Sequence, residues 1–128
     1  RGTAARAMTA TMPAPNEPAC QTTIIHAART LGYRVHHQRP SVSRAGRWAS
    51  AIQGDPGWPD LVICGHDRLW VIELKRHGGK PTADQVSWLT ALTRAGVDAR
   101  LVIVPDHQQA LIDELARHAR STTMKAQR

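Results

Sequence analysis

Phenylalanine is absent from these 128 residues and tyrosine occurs once, at Tyr33. The interior must therefore be built from Leu, Ile, Val, Ala and four tryptophans. No apolar run approaches the roughly 18 residues that span a bilayer, and Arg1–Ala19 has no continuous apolar stretch of the secretory-signal kind. These absences point to a cytoplasmic, intracellular protein without a membrane partner. The only two cysteines, Cys20 and Cys64, cannot make a disulfide framework; both sit in apolar patterns and read as buried thiols. His36, His37 and His66 are among seven histidines, but no Cys or His pair has the spacing of a structural zinc site. No Walker A loop, Ser-His-Asp or Cys-His arrangement is assignable, so no nucleotide or organic cofactor is expected. Acid is scarce as well. Ten Asp and Glu stand against seventeen Lys and Arg, fourteen of them Arg, for a formal charge of +7. That balance favours a polyanionic partner, nucleic acid first.

What is present describes one small domain. Residues 1–15 are rich in Ala, Thr and Pro without period and read as a disordered tail. Asn16 offers an N-cap to a helix with Cys20, Ile24 and Leu31 on one stripe, and Gly32 can close it. Residues 33–37 have the length of a short strand. The segment from His36 to Trp58 is long for a loop in so small a domain, and such loops are usually functional or disordered. Asp60–Cys64 and Leu69–Lys75 read as strands around a His66-Asp67 turn. Thr82 and Gln85 form a T-x-x-Q capping box that opens a helix with Val86, Trp88, Leu89 and Leu92 inward. Val97–Val104 is a strand. Asp106 caps a last helix bearing Leu111, Ile112 and Leu115, and 121–128 is a frayed polar tail. The domain is thus 16–120, an α/β fold of order α-β-β-β-α-β-α with a mixed central sheet flanked by helices.

The hairpin register carries the chemistry. A tight turn on His66-Asp67 pairs Gly65 with Arg68, Cys64 with Leu69 and Val62 with Val71, which sets Asp60 opposite Glu73. Directly opposed residues hold their Cβ atoms about 5 Å apart, and like charges so placed repel. Lys75 follows two residues on, on the same face. Leu69 and Val71 share that face, while Trp70, Ile72 and Leu74 fill the other, the mark of a strand covered on both sides. An E-x-K triplet alone also describes a solvated strand end. Burial changes the reading, because two buried carboxylates invite a cation, and oxygen ligands with open water positions suit Mg²⁺, or Mn²⁺ in its place. Glu17 lies on the inward stripe of the first helix, where an acid also complements the helix dipole. Gln85 precedes the inward stripe of its own helix.

Gly57-Trp58-Pro59-Asp60-Leu61 followed by Glu73-Leu74-Lys75 resembles the PD…ExK signature of the PD-(D/E)xK nuclease superfamily. With Gly78-Gly79-Lys80, Gln85 before Trp88-Leu89, and Glu17 with Gln21, the chain looks more narrowly like a VRR-NUC domain over about residues 16–116. The Val-Arg-Arg tripeptide that names the family is not present. The resemblance implies a restriction-endonuclease-like core and Mg²⁺-dependent phosphodiester hydrolysis. It implies Asp60, Glu73 and the Leu74 carbonyl as metal ligands and Lys75 as the group that orients the attacking water. Gln85 would support the site through the lysine, and Glu17 through a water. Small stand-alone members come from phages and bacteria and resemble nucleases of DNA repair and recombination that cut branched DNA as homodimers. Arg44, Arg47, Arg76 and Lys80 flank the acidic pair in long or Gly-rich segments, as contacts to a DNA backbone would. Trp48 can stack on an unpaired base or pack its loop, and His77 can meet a phosphate. A non-catalytic or partner-dependent nucleic-acid-binding module on the same fold is the alternative. A sequence-specific restriction-type enzyme ranks lower, since no separate recognition region is evident.

Overall fold

The computed structural model describes residues 15–38, 41–42, 48–49 and 53–127. The tail expected over 1–15 lies outside the described residues except for Pro15. Asn16 opens α1 (Glu17–Thr30), its Oδ1 accepting from the Ala19 amide at 2.9 Å, and Gly32 at φ +93° turns the chain out of it. β1 (Arg34–His37) follows at once. The long connection after it is not all loop: β2 (Ser41–Val42) and β3 (Trp48–Ala49) pair antiparallel as a separate ribbon.

β4 (Leu61–Gly65) and β5 (Arg68–Arg76) form the central hairpin. His66 and Asp67 both adopt positive φ, +49° and +63°, the two left-handed positions of a type I′ turn, which His and Asp tolerate better than most residues. This two-residue turn locks the register at Gly65–Arg68, Cys64–Leu69, Val62–Val71 and Leu61–Ile72. α2 (Ala83–Arg94) then crosses over, and β6 (Asp98–Val104) returns parallel to β5. Last comes α3 (Gln108–Ala126). The sheet order is β1-β4-β5-β6, so β5 is an interior strand, antiparallel to one neighbour and parallel to the other.

Alternation sorts the side chains. Leu61, Ile63, Trp70, Ile72, Leu74, Val102 and Val104 face α1 and α3 and form one buried core with Ile24, Ala28, Tyr33, Leu111 and Leu115. The lone tyrosine ties it together: its hydroxyl donates to the Leu115 carbonyl at 2.7 Å, and its ring meets Trp70 edge-on at 5.4 Å. Val71, Glu73 and Lys75 point to the opposite face, where α2 packs mainly against β6.

Four local expectations are corrected. α2 covers only part of the second face, so Cys64 is exposed rather than buried, and Val86 is 46% exposed rather than inward. Asp106 does not cap α3, whose N-cap is His107 without a side-chain bond; the Asp106 carboxylate is instead 2.8 Å from His77 Nδ1. α3 runs on to Ala126, through residues expected to fray. The hydroxyls of Thr122 and Thr123 donate to carbonyls one turn back, and Thr122 also donates to the His66 carbonyl at 3.4 Å.

One close approach joins the site's two halves. Gly57 sits at φ +97°, and a Cβ there would lie 2.5 Å from the carbonyl carbon of Asp84 in the first turn of α2. Gly78, also left-handed at φ +81°, has nothing within 4 Å. Gly57→Ala is therefore expected to lower stability by about 3 kcal/mol. Gly78→Ala should lose only the conformational penalty of about 1–2 kcal/mol. Denaturant unfolding of the two variants checks the difference, and equal losses would count against the contact.

Candidate active site

Asp60 is the residue at which ladder pairing of β4 with β5 gives way to a side chain. Continuing the hairpin register places it opposite Glu73, and its Oδ2 accepts the Leu74 amide at 2.8 Å, in place of a strand carbonyl. Pro59, fully buried, precedes it and has no N–H to contribute to a ladder. Glu73 lies on interior strand β5 and is only 1% exposed, the one buried charged residue among those described.

Two cationic or donor groups reach the same oxygen of Glu73. Gln85 Nε2 donates to Oε1 at 3.1 Å, and Lys75 Nζ stands 3.8 Å from it. The amide is aimed by the capping box itself. Gln85 Oε1 accepts from the Thr82 amide at 2.8 Å, and Thr82 Oγ1 accepts from the Gln85 amide at 3.2 Å. Its oxygen being held at the helix end, the nitrogen of the side chain is left to face the sheet. Capping and site support are thus one arrangement. The partner of Gln85 is Glu73, not the lysine that the resemblance implied.

The second oxygen, Oε2, is buried with no protein partner. Burial first, then the neighbouring Asp60 carboxyl, push Glu73 up to about 8; Lys75 pulls it back, and Glu17 adds a further upward push. A carboxyl raised this far keeps its proton near neutral pH when no cation is present.

Glu17 is half-buried in the first turn of α1 and close enough to be felt by Glu73. With Arg76, His77, Asn16 and Pro105 it lines a groove of about 650 Å³ at the C-terminal end of β5 and β6. Arg76 and Lys80 are exposed, Arg76 on the wall of that groove. His77 is exposed too, and its pairing with Asp106 holds that carboxyl below the usual range. Arg44 and Arg47 lie outside the described residues, as does the side chain of Trp48, whose backbone belongs to β3.

The donor set suits a hard cation bound by oxygen. It offers two adjacent carboxyls, one with a free buried oxygen, and adjoining main chain at Leu74. No three His, Cys, Asp or Glu side chains converge on one point among the described residues. A cation here would therefore keep open positions for water or substrate. Sequence reasoning overlooked His37 at this site. Its Nδ1 lies 3.1 Å from the Asp60 carbonyl and 3.0 Å from Gln21 Nε2, and only its place at the end of β1 hinted at the contact.

The solved structure of a VRR_NUC domain is similar to this chain at TM-score 0.57 and 22% sequence identity, covering 76% of this chain and 94% of that one. No family model matches the sequence, and no curated protein matches it. At that identity the likeness establishes the fold. The chain has the α/β architecture of a VRR_NUC domain, restriction-endonuclease-like, as the PD…ExK resemblance implied. Among the described residues, no helix is long and apolar enough to cross a membrane.

The raised pKa of Glu73 sets a pH dependence. An acid whose folded-state pKa lies above its ordinary 4.5 favours folding below that value and ceases to as pH rises through about 8. Metal-free protein should therefore lose stability between about pH 4.5 and pH 8, and Glu73→Gln should remove most of that slope. Denaturant titrations across the range in EDTA check it; a slope unaffected by Glu73→Gln would contradict the assigned burial cost.

Proposed function

We propose that this protein is a divalent-metal-dependent nuclease that hydrolyses phosphodiester bonds in DNA. The observation that carries the reading is the unpartnered, buried Oε2 of Glu73 beside the Asp60 carboxyl. A lone structural pair would have no reason to keep two carboxyls together and one oxygen unsatisfied, because each costs free energy.

Asp60 and Glu73, with the Leu74 carbonyl, would hold the ion, and Mg²⁺ is the choice this oxygen set favours, with Mn²⁺ as a substitute. When bound, it supplies charge neutralisation at phosphate and lowers the pKa of water at the site. Leu74 N–H fixes the Asp60 carboxylate, and Gln85 fixes Oε1 of Glu73 so that Oε2 is presented. Lys75, only partly exposed and 3.8 Å from Glu73 Oε1, would orient the attacking water and then stabilise charge developing on the phosphate. Glu17 would assist through a water at the mouth of the groove. The +7 chain charge, with Arg44, Arg47, Arg76, His77 and Lys80, would hold the DNA backbone, and Trp48 an unpaired base.

Branched or junction DNA, of the kind processed in repair and recombination, is the proposed substrate class, and a homodimer the proposed form. A non-catalytic nucleic-acid-binding module would not need Glu73 buried with Gln85 and Lys75 turned toward it. A panel of labelled DNA structures, with and without Mg²⁺, tests the proposal. The wild type should cleave in a metal-dependent manner. Asp60→Asn, Glu73→Gln and Lys75→Ala should each reduce the rate at least about 100-fold, the roughly 3 kcal/mol expected when one element of transition-state charge stabilisation is lost. Full activity in Asp60→Asn or Glu73→Gln would reject the site.

A further inference from the structure

His37 closes β1, where it pairs with Leu61, the first residue of β4 and the one after Asp60. Its Nδ1 stands 3.1 Å from the Asp60 carbonyl oxygen and 3.0 Å from the Gln21 side-chain amide on α1. A ring nitrogen carries either a hydrogen or a lone pair, whereas a carbonyl oxygen has lone pairs only. The contact with Asp60 is therefore a bond only when Nδ1 bears the hydrogen. The Gln21 amide stands with Nε2 toward the ring, so a donor would face a donor in that tautomer; turned end for end, with its oxygen inward, the amide accepts from the same N–H. In that orientation of the amide, and only in it, both neighbours select the Nδ1–H tautomer.

The consequence falls on Asp60. Its carbonyl is held from β1 and its carboxylate from β5, the latter by the Leu74 amide at 2.8 Å. Pro59 gives the preceding peptide no N–H with which to anchor the chain. We propose that His37, oriented by Gln21, is a positioning residue that fixes the main chain at Asp60, and through it the direction of the Asp60 carboxylate toward Glu73. The effect on metal binding and cleavage rests on the nuclease reading above. The effect on the Asp60–Leu74 bond does not.

Two readouts on the full chain keep the two claims apart. The first is amide hydrogen exchange of metal-free protein. In His37→Ala, the Leu74 amide should exchange about tenfold faster or more, while amides of β5 residues bonded to main chain, such as Ile72, keep their wild-type rates. His37→Asn, which places a side-chain N–H near the position of Nδ1, should restore most of the protection. An unchanged Leu74 rate in folded His37→Ala overturns the proposal. So does a uniform acceleration of all amides, which marks general destabilisation. The second readout is calorimetric titration with Mn²⁺ alone. His37→Ala should weaken binding by about 10-fold, the scale of lost outer hydrogen bonds at metal sites, and His37→Asn should recover it. Wild-type affinity in His37→Ala overturns the positioning of Asp60 for a cation. Absence of Mn²⁺ binding in the wild type, with the Leu74 result intact, overturns the nuclease reading and leaves the positioning role standing.

Discussion

Two carboxyl groups are brought face to face by strand register, and one of them is sealed from water. That confrontation between Asp60 and Glu73 is the constraint on which the rest of the arrangement depends. It cannot relax by sliding, because a one-residue slip would turn Trp70, Ile72 and Leu74 out of the core. It cannot relax by solvation, because Glu73 lies on an interior strand beneath Gln85. The protein instead surrounds the pair with donors: a main-chain amide on Asp60, a side-chain amide and an ammonium group on Glu73. They leave one buried oxygen unpaired.

The opposite face of the sheet supplies the rigidity this needs. Trp70, Ile72 and Leu74 alternate with Val71, Glu73 and Lys75, so the residues flanking the site are locked into the main core. Tyr33 fastens that core to α3 through its hydroxyl, and Arg100 reaches from β6 to Asp98 and to both oxygens of Glu114 on α3. On the site face, contact between Gly57 and Asp84 sets the loop carrying Asp60 against the helix carrying Gln85. One approach therefore fixes the spacing of two groups that act on Glu73 from different elements.

The sequence was most legible where a local rule permits a single outcome. A two-residue turn leaves one register, and the Asp60–Glu73 opposition follows from it by counting along the strands. The T-x-x-Q pattern likewise fixed the start of α2 and the place of Gln85, although not which group the amide would meet. Less legible were properties that depend on how far a neighbour extends. Cys64 and Val86 look inward by pattern, and their exposure follows from α2 lying over β6 instead of across the whole sheet. Asp106 has the chemistry of a cap, but a nearby histidine takes its carboxylate. The contact of His37 with Asp60 joins residues 23 positions apart through β1–β4 pairing, which periodicity does not reveal.

The most direct test of the account is anomalous scattering from crystals of the wild-type protein grown or soaked with Mn²⁺ above pH 8, where Glu73 should be ionised. The account requires a peak that contacts both the Asp60 and Glu73 carboxylates and disappears in Glu73→Gln. It would be contradicted if no peak formed there at saturating Mn²⁺.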